Sequence, residues 1–473
     1  MVSFAYQFPT HQDRRALGGQ STDKEAPDYS SKKLAEKCRI LDGQKKHAAN
    51  QACHPTHHNL TTNSPSPATQ KLKNPQQKPS FFHPNFSAHK KPEISRNLYP
   101  DMKKKLRIGI LFGGRSGEHE VSLLSAASIL KAIDKKKYEV VPIGITKQGQ
   151  WLTSTEAQHL LSGEAKPAPI KQTKAIQLSA SADLAQQNGA LGQRLDVIFP
   201  VLHGTFGEDG TIQGLLELAD IAYVGSGVLG SATGMDKAAM KQLFSAAGLP
   251  QTPHVALIRS EWKTDPKRCT KLIEKKLTYP IFVKPANLGS SVGISKVHDR
   301  SELAAAMNLA ASFDRKLVIE QGVGGPGVKP RELEVSVLGN DSPEATVVGE
   351  IVPGAEFYDY EAKYHSDASV PIIPAKLSKS EAKKIREIAI AAFRACDCAG
   401  LARVDFLMEP ARKGKKSRIY LNEINTMPGF TSISMYPKLW EASGLPYKQL
   451  IDRLIALAVE RQKEKQQTQF SRV

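Results

Sequence analysis

Cysteine is scarce in this chain, with five among 473 residues: Cys38, Cys53, Cys269, Cys396 and Cys398. Their number is odd and no two are spaced as CxxC, which argues against a disulfide framework and a zinc ribbon. Long apolar runs are also missing, since no stretch approaches the roughly 18 apolar residues that a membrane span requires. The first residues lack the apolar segment of a secretion signal. We therefore predict reduced thiols and a cytoplasmic protein without a membrane partner.

Acidic residues are outnumbered, because 65 lysines and arginines face 47 aspartates and glutamates and give a formal net charge of +18. Such an excess is compatible with nucleic-acid binding through phosphate neutralisation. The basic residues are scattered, however, with local runs only at 103–105, 135–137 and 412–418, and no aromatic-interleaved basic stripe is present. We predict solvated faces and attraction for anionic small substrates, and no nucleic-acid partner.

Residues 1–101 are rich in Gln, Asn, Pro, Ser, His and Lys and show no sustained helical or strand periodicity. Such a composition predicts a disordered N-terminal extension. One cysteine and three histidines cluster at 53–58, but a lone cluster in such a tract does not make a metal site. Met102 precedes the first apolar strand almost directly, so we predict that it is the true start of the enzyme.

The remainder alternates strand and helix patterns and predicts a mixed α/β and α+β fold in three domains. The first, 102–226, opens with a buried strand at 106–112, a glycine turn and a helix at 120–133, and continues with strands at 138–145 and 196–202. Glycines between 225 and 234 indicate a boundary. The second domain is predicted at 227–320, opening with a helix at 236–247, and the third at 321–465.

A polar face is predicted on two strands, 401–407 and 419–424. Side chains alternate along a strand, so Arg403 and Asp405 share one face, as do Glu423 and Asn425. If the basic segment 412–418 is the turn of a hairpin, these four side chains converge. Carboxylate and amide oxygens suit Mg²⁺, and a nearby arginine would stabilise a phosphoryl group in transfer. An exposed, salt-bridged hairpin is an equal alternative on these residues alone.

A lysine at a strand end, Lys284, is followed by a glycine and serine loop that ends at Gly293. Backbone N–H groups in such a loop can bind phosphate, and the loop can close as a lid. Neither G-x-G-x-x-G nor G-x-x-x-x-G-K-[ST] is present, which excludes a Rossmann or P-loop site. Taken alone, the loop is a weak signal because Gly-Ser loops are common linkers, and a lone lysine such as Lys237 is more often a surface residue than a ligand.

Six motifs then occur in the order found in one enzyme family. They are distributed in order within residues 105–460, which leaves little room for coincidence. They are GGRSGEHEVS at 113–122, HGTFGEDG at 203–210, MDK at 235–237, VKP with GSSVG at 283–293, YDYEAKY at 358–364 and NEINTMPG at 422–429. The chain resembles the D-alanine:D-alanine ligases of the ATP-grasp superfamily, and residues 1–101 lie outside the resemblance.

The resemblance implies a nucleotide and metal site. Lys237, Lys284 and Ser291 would bind ATP, the segment from Glu320 to Val323 would form the hinge around adenine, and Glu332 would contact the ribose. Two Mg²⁺ or Mn²⁺ ions would be held by Asp405, Glu423 and Asn425. The resemblance leaves a requirement for K⁺ open. The segment 324–330, between the hinge and Glu332, is longer than usual in the family.

The resemblance also implies a substrate site and a homodimer. Glu118 and His203 would bind the first D-alanine, and Lys363 with Ser434 the carboxylate of the second. A hydrogen-bonded triad of Glu118, Ser290 and Tyr364 would link the lid to the substrates. ATP would phosphorylate the first D-alanine, and Arg403 with the Gly429 N–H would stabilise the oxyanion formed when the second amine attacks.

Two alternatives remain at this point. A D-alanine:D-lactate ligase shares the scaffold, but there the position of Tyr364 is usually phenylalanine, so tyrosine favours the dipeptide. A non-catalytic nucleotide-binding protein would be expected to have lost a metal ligand, whereas all three are present.

Overall fold

A computed structural model describes residues 105–152, 154–162, 195–324, 327–352, 370–411, 416–431 and 433–471. The extension predicted at 1–101, and Lys363 and Tyr364, lie outside these ranges. Within the described part of the chain, no helix is both long and apolar enough to cross a membrane.

The first sheet has four parallel strands in the order β2-β1-β3-β4. They are β1 (Leu106–Gly113), β2 (Tyr138–Ile145), β3 (Val197–Val201) and β4 (Ala222–Tyr223), accompanied by helices α1 (His119–Ala132), α2 (Ser154–Ser162) and α3 (Thr211–Leu218). Seven of the eight residues of β1 are buried, as expected for a parallel strand covered on both faces. The strands and helices predicted from the sequence here are confirmed.

Two consecutive helices, α4 (Val228–Met235) and α5 (Lys237–Ala246), connect the first sheet to the second. The glycine pattern did not predict α4, which contains two of the glycines taken to mark the domain boundary, and the boundary itself stays a prediction. Asp236 separates the two helices and accepts hydrogen bonds from the N–H groups of Ala238 and Ala239 at 3.1 and 3.0 Å. This N-cap starts α5 one residue after Asp236.

The second sheet is antiparallel, with its four strands in the order β5-β8-β6-β7. Its strands are β5 (His254–Ile258), β6 (Ile281–Pro285), β7 (Ser295–Val297) and β8 (Lys316–Gln321), and its helices are α6 (Arg259–Thr264), α7 (Pro266–Lys276) and α8 (Arg300–Phe313). The three helices pack on this sheet and contribute, in turn, Trp262, Ile273 and Met307 to its core.

The third sheet is also antiparallel, in the order β12-β11-β9-β13-β14 with β10 on β9. Its strands are β9 (Arg331–Gly339), β10 (Glu344–Ala345), β11 (Gly349–Val352), β12 (Val370–Ile372), β13 (Gly400–Glu409) and β14 (Arg418–Asn425). Helix α9 (Lys379–Ala395) packs on it and begins at a capping box of Ser378 and Glu381. The predicted hairpin of β13 and β14 is confirmed.

Helices α10 (Met435–Ala442) and α11 (Tyr447–Lys465) close the described chain. Leu450 and Leu454 of α11 belong to the same core as Ile108 and Phe199 of the first sheet. Near its end, Arg461 donates hydrogen bonds to the carbonyls of Gly225 and Tyr223, and its guanidinium lies 4.2 Å from the centre of the Tyr223 ring. The last helix is therefore part of the first sheet's core.

Candidate active site

A polar face on β13 and β14 brings the four predicted side chains together. Arg403 pairs with Asn425 and Asp405 with Glu423 across the two strands. The intervening Val404 and Phe406 are buried on the opposite face. Arg403 donates two hydrogen bonds to Asp405, both of 2.8 Å, and Asn425 Nδ2 donates a third at 2.9 Å. Strand alternation therefore places one guanidinium, two carboxylates and one amide on one surface.

A third carboxylate, Glu334 on β9, was missed by the sequence analysis. Its Oε2 lies 3.2 Å from Arg403 Nε, and 12% of its side chain is exposed. Arg403 thus sits between Asp405 and Glu334 and is held on both sides. The alternation of Leu333, Glu334 and Val335 was the available signal, because it directs Glu334 to the face opposite its buried neighbours.

The first of two cavities opens at this face and has a volume of about 290 Å³. It is lined by residues from loops and strands of all three sheets. Those that the sequence analysis proposed are Glu118, His203, Lys237, Ser290, Ser291, Arg403, Glu423, Asn425, Gly429 and Ser434. Every described residue proposed to contact D-alanine is among them.

Glu118 occupies the N-cap position of α1 without a side-chain capping hydrogen bond, and its carboxylate lies between two glycines. A Cβ added to Gly204 would come within 2.6 Å of Glu118 Oε2, and one added to Gly289 within 2.5 Å. The Ser290 hydroxyl donates a short hydrogen bond to Glu118 Oε1. Ser290 and Ser291 have positive φ angles of 48° and 60°. The serine loop is therefore tied to Glu118, which is the contact that the predicted triad requires between its first two members.

His203 is buried, and both of its ring nitrogens have protein partners. Nδ1 lies 3.0 Å from the Met427 carbonyl and Nε2 lies 3.1 Å from Ser125 Oγ. Burial lowers the pKa of His203 below its usual value. The ring is therefore neutral at pH 7, with Nδ1–H donating to the carbonyl, which can only accept.

Glu208, five residues further on, also lines the first cavity and was not proposed from the sequence. Burial, reinforced by the neighbouring Glu118 carboxylate, raises the pKa of Glu208 to about 8. Its two oxygens accept from the N–H groups of Gly204 and Met427 at 2.7 and 3.1 Å. Nothing in the local sequence indicates its contact with Met427, which is 219 residues away.

Ser434 lies beside Gly429 at the far end of this cavity. Its Oγ accepts from the Thr431 N–H at 3.0 Å and lies 2.8 Å from Thr431 Oγ1. A Cβ added to Gly429 would come within 2.8 Å of the same Oγ. Glycine at 429 therefore keeps room for the Ser434 hydroxyl.

The second cavity, of about 490 Å³, adjoins the first and shares Ser291, Glu334, Arg403 and Glu423 with it. Residues proposed for the nucleotide and metal line it: Lys284, Ser291, Glu320, Val323, Glu332, Asp405 and Glu423. The two cavities meet at Arg403, where the proposed substrate and nucleotide residues come together.

Three lysines in this region are largely buried, and two of them line the cavities, Lys237 the first and Lys284 the second. Lys237 Nζ donates to the Leu288 carbonyl at 2.7 Å and lies 3.9 Å from Glu423 Oε2. Lys284 Nζ lies 3.2 Å from Glu320 Oε1. Lys241, which the sequence analysis did not single out, lies 3.4 Å from Glu320 Oε2.

The charges of these lysines hold Glu320 ionised. Burial acts to raise the pKa of Glu320, but the nearby Lys241 and Lys284 outweigh it and bring the pKa to about 2. Burial also lowers the pKa of Lys241. Glu320, Lys241 and Lys284 therefore form one buried ion-pair cluster, from which Glu320 and Lys284 line the second cavity.

The donor set on β13 and β14 fits a hard divalent cation. Asp405 and Glu423 supply carboxylate oxygens, and Asn425 supplies an amide oxygen, because its Nδ2 is used by Asp405. In the described residues no three His, Cys, Asp or Glu side chains gather as a metal site. Two carboxylates and one amide suit Mg²⁺, which completes its shell with phosphate oxygens and water.

The three sheets, with two cavities meeting where they converge, define a protein of the ATP-grasp class. A family model described as D-ala D-ala ligase N-terminus matches residues 107–226, and one described as D-ala D-ala ligase C-terminus matches residues 243–456. The chain belongs to the D-alanine–D-alanine ligase family.

Curated relatives and solved structures agree with this membership. The D-alanine--D-alanine ligase of Natranaerobius thermophilus is 50% identical over 381 residues, covering 78% of this chain and 99% of that protein. The Chloroherpeton thalassium enzyme of the same name is 51% identical over 371 residues, covering 77% and 99%.

Among solved structures, the D-alanine-D-alanine ligase of Coxiella burnetii is 37% identical with a TM-score of 0.63, covering 77% of this chain and 96% of that one. The VanG D-Ala:D-Ser ligase of Enterococcus faecalis is 35% identical with a TM-score of 0.63, covering 75% and 100%. ATP use and a divalent metal follow from the family. The domain boundaries and the roles of individual residues, including those of Lys363 and Tyr364, stay predictions.

Proposed function

We propose that this protein is an ADP-forming ligase that joins two D-alanines into D-alanyl-D-alanine, for use as a peptidoglycan precursor. The observation that carries the proposal is the meeting of the two cavities at Arg403 in a chain of this family. The curated relatives at about half identity are named for D-alanine in both positions, which supports the dipeptide over a depsipeptide.

The first step would be phosphorylation of the first D-alanine, because a carboxylate is a poor acylating agent. Lys237 and Lys284 would bind the nucleotide phosphates, and Glu332 and the 320–323 segment the nucleoside. Asp405, Glu423 and Asn425 would hold Mg²⁺ or Mn²⁺, which supplies charge neutralisation at the phosphates. Arg403, fixed by Asp405 and Glu334, would stabilise the charge of the moving phosphoryl group.

The second step would be attack of the second amine on the acyl phosphate. Glu118 would hold the ammonium of the first D-alanine, and Ser434 with Lys363 the carboxylate of the second. Ser290 and Tyr364 would close the lid onto Glu118 and exclude water, which otherwise hydrolyses the acyl phosphate. Arg403 and the Gly429 N–H would stabilise the oxyanion, and phosphate would leave.

The test is product analysis with the purified full chain, ATP, Mg²⁺ and D-alanine. We expect equal amounts of ADP and D-alanyl-D-alanine, separated by chiral chromatography. Parallel reactions offer D-lactate or D-serine with D-alanine, and L-alanine serves as the inactive control. If the depsipeptide or D-alanyl-D-serine predominates, the second substrate is D-lactate or D-serine and not D-alanine. If ATP binds without turnover, the chain is a non-catalytic nucleotide-binding protein. In Tyr364→Phe we expect the share of D-lactate product to rise.

Three properties complete the proposal and rest on the family resemblance. We expect a homodimer, which light scattering during gel filtration would measure. We expect the enzyme to act in the cytoplasm, where its ATP is available. A stimulation by K⁺ would appear as a change in rate when Na⁺ replaces K⁺ at constant ionic strength.

A further inference from the structure

The segment Met427–Phe430 follows β14, and its first three residues line the first cavity. It is held by side chains from the loop after β3 and from α1. Glu208 Oε1 accepts from the Met427 N–H at 3.1 Å. The other oxygen of the same carboxyl group accepts from the Gly204 N–H at 2.7 Å. One buried side chain thus joins the loop after β3 to the segment after β14.

His203 holds the same residue from its other side. Its Nδ1–H donates to the Met427 carbonyl at 3.0 Å, so both backbone polar groups of Met427 are bound by the loop after β3. At the opposite end of the segment, the Phe430 N–H donates to Ser125 Oγ at 3.2 Å. Ser125 lies 3.1 Å from His203 Nε2, and its hydroxyl donates to that nitrogen.

Between these two anchors lies Gly429. Pro428 has no N–H, and Met427 and Phe430 have theirs bound. Within the described residues, the Gly429 N–H has no hydrogen-bond acceptor, and Gly429 lines the first cavity. The anchors therefore fix the backbone on both sides of one amide that stays available to a ligand.

We propose that Glu208 is a positioning residue that, with His203 and Ser125, aims the Gly429 N–H at the reacting carbonyl. This inference rests on the proposed function, because it concerns the oxyanion formed when the second amine attacks. A donor stabilises an oxyanion only when it is preorganised at hydrogen-bond distance from that oxygen. His203 also acts as a positioning residue in this proposal, because both of its ring nitrogens are hydrogen-bonded to protein atoms.

Glu208→Gln is the informative variant. Above the Glu208 pKa of about 8 the ionised carboxylate accepts through both oxygens, whereas the glutamine NH₂ cannot accept, so at such a pH the variant can hold Gly204 or Met427 but not both. We expect kcat for dipeptide to fall about 10- to 100-fold, less than the loss from removing an oxyanion donor outright. We expect the KM for ATP to change by less than about threefold, because Glu208 does not line the second cavity.

A second measurement separates positioning from mere instability. If the acyl phosphate still forms but is captured slowly, water consumes part of it, and the ADP released per dipeptide rises above one. A partly unfolded enzyme would lose ADP and dipeptide in proportion, and the ratio would stay at one. The ratio is measured with the intact chain at saturating ATP and D-alanine.

Asp209→Asn is the matched control, one residue away on the same loop. Asp209 accepts from the N–H groups of Phe206 and Thr211 at 2.8 and 3.0 Å and does not contact Met427–Phe430. We expect it to keep both kcat and an ADP to dipeptide ratio of one. If Glu208→Gln fails to fold in a thermal melt, Ser125→Ala tests the Phe430 anchor and should raise the same ratio.

The inference is overturned if folded Glu208→Gln keeps a ratio of one and kcat within about threefold of the parent. It is also overturned if Asp209→Asn raises the ADP to dipeptide ratio as much as Glu208→Gln does. Absence of dipeptide from the unmodified chain would instead overturn the proposed function, and this inference with it. The two failures are thus distinguished by the unmodified protein alone.

Discussion

Lys241 Nζ lies 3.4 Å from Glu320 Oε2, with 0% and 4% of the two side chains exposed. Lys284 approaches the other oxygen of the same carboxylate at 3.2 Å. If nucleotide phosphates attract Lys284, Glu320 still has Lys241 as its counter-ion. Because an unpaired buried carboxylate is costly, Lys241 stabilises Glu320 in either arrangement.

Replacing Lys241 by methionine should make the protein more sensitive to acid. Glu320 has a folded pKa of about 2, below its usual value of 4.5. Its contribution to stability is therefore present above pH 4.5 and is lost as the pH falls toward 2. Without Lys241 the folded pKa rises, so the contribution shrinks and acid unfolding begins at a higher pH.

Acid titration followed by circular dichroism measures this shift. Burial also lowers the pKa of Lys241, and the Lys241→Met variant removes that titrating group together with the ion pair. The exposed Lys267→Met is the control and should leave the acid midpoint unchanged. An equal midpoint in Lys241→Met and the parent would contradict the prediction.

Arg403→Lys should cost about 100-fold in kcat although it conserves charge. The guanidinium donates through Nε and Nη2 to both oxygens of Asp405, which a single ammonium cannot reproduce. Steady-state assays at saturating substrates would measure the loss. Arg418→Lys, on the same hairpin but exposed, should stay within about twofold of the parent, and an equal loss there would refute a specific role for Arg403.

Glu423→Gln should keep the fold and lower turnover by at least about 100-fold, because an amide supplies less negative charge to a cation. Calorimetric titration should also show weaker Mg²⁺-dependent nucleotide binding. Glu409→Gln, at the outer end of β13, is the control. Normal nucleotide binding and turnover in Glu423→Gln would remove Glu423 from the cation site.

Gly429→Ala should raise the KM for D-alanine about tenfold, a loss of about 1.4 kcal/mol in binding. Its Cβ would lie 2.8 Å from Ser434 Oγ, which is held by two contacts to Thr431. Gly214→Ala is the control, since a Cβ there meets nothing within 4 Å. Because Gly214 lies within α3, we expect that variant to gain about 0.5–1 kcal/mol of stability. Unchanged KM in Gly429→Ala would show that Ser434 can move freely.

Arg461→Ala should lower stability and leave catalysis intact. It removes hydrogen bonds to the carbonyls of Gly225 and Tyr223 and a cation–π contact with Tyr223. We expect a loss of about 1–3 kcal/mol, or several degrees in melting temperature. Thermal melts and an assay at 20 °C test this. A lower kcat/KM in the folded variant would link α11 to the active site.

The local alternation of apolar and polar residues was sufficient to predict much of this fold. Alternation in β13 and β14 placed Arg403, Asp405, Glu423 and Asn425 on one face, and the strand register agrees. Helix α7 was missed because it buries only Cys269 and Ile273, although Asp265 and Pro266 give a clear start signal. Helix α4 was missed because glycines are poor helix formers, whereas Gly230 and Gly234 lie buried within it.

Contacts between residues that lie far apart in the chain could not be predicted from the sequence. Glu208 lies inside a recognised motif, but its contact with Met427 depends on how two distant segments pack. Lys241 is a common surface residue type, and its complete burial follows from the packing of α5 against β8. Periodicity reports which face of an element is apolar, and it does not report which other element covers that face.

The shared core of the first sheet and α11 has a consequence for synthesis on the ribosome. Val201 ends the third strand of that sheet, while Leu450, which packs into the same core, is translated about 250 residues later. At roughly 5–20 residues per second, the sheet waits on the order of 10–50 s for its last helix. During that interval its apolar surface is open to chaperones and to aggregation, so a chain terminated before α11 would be a substrate for quality control.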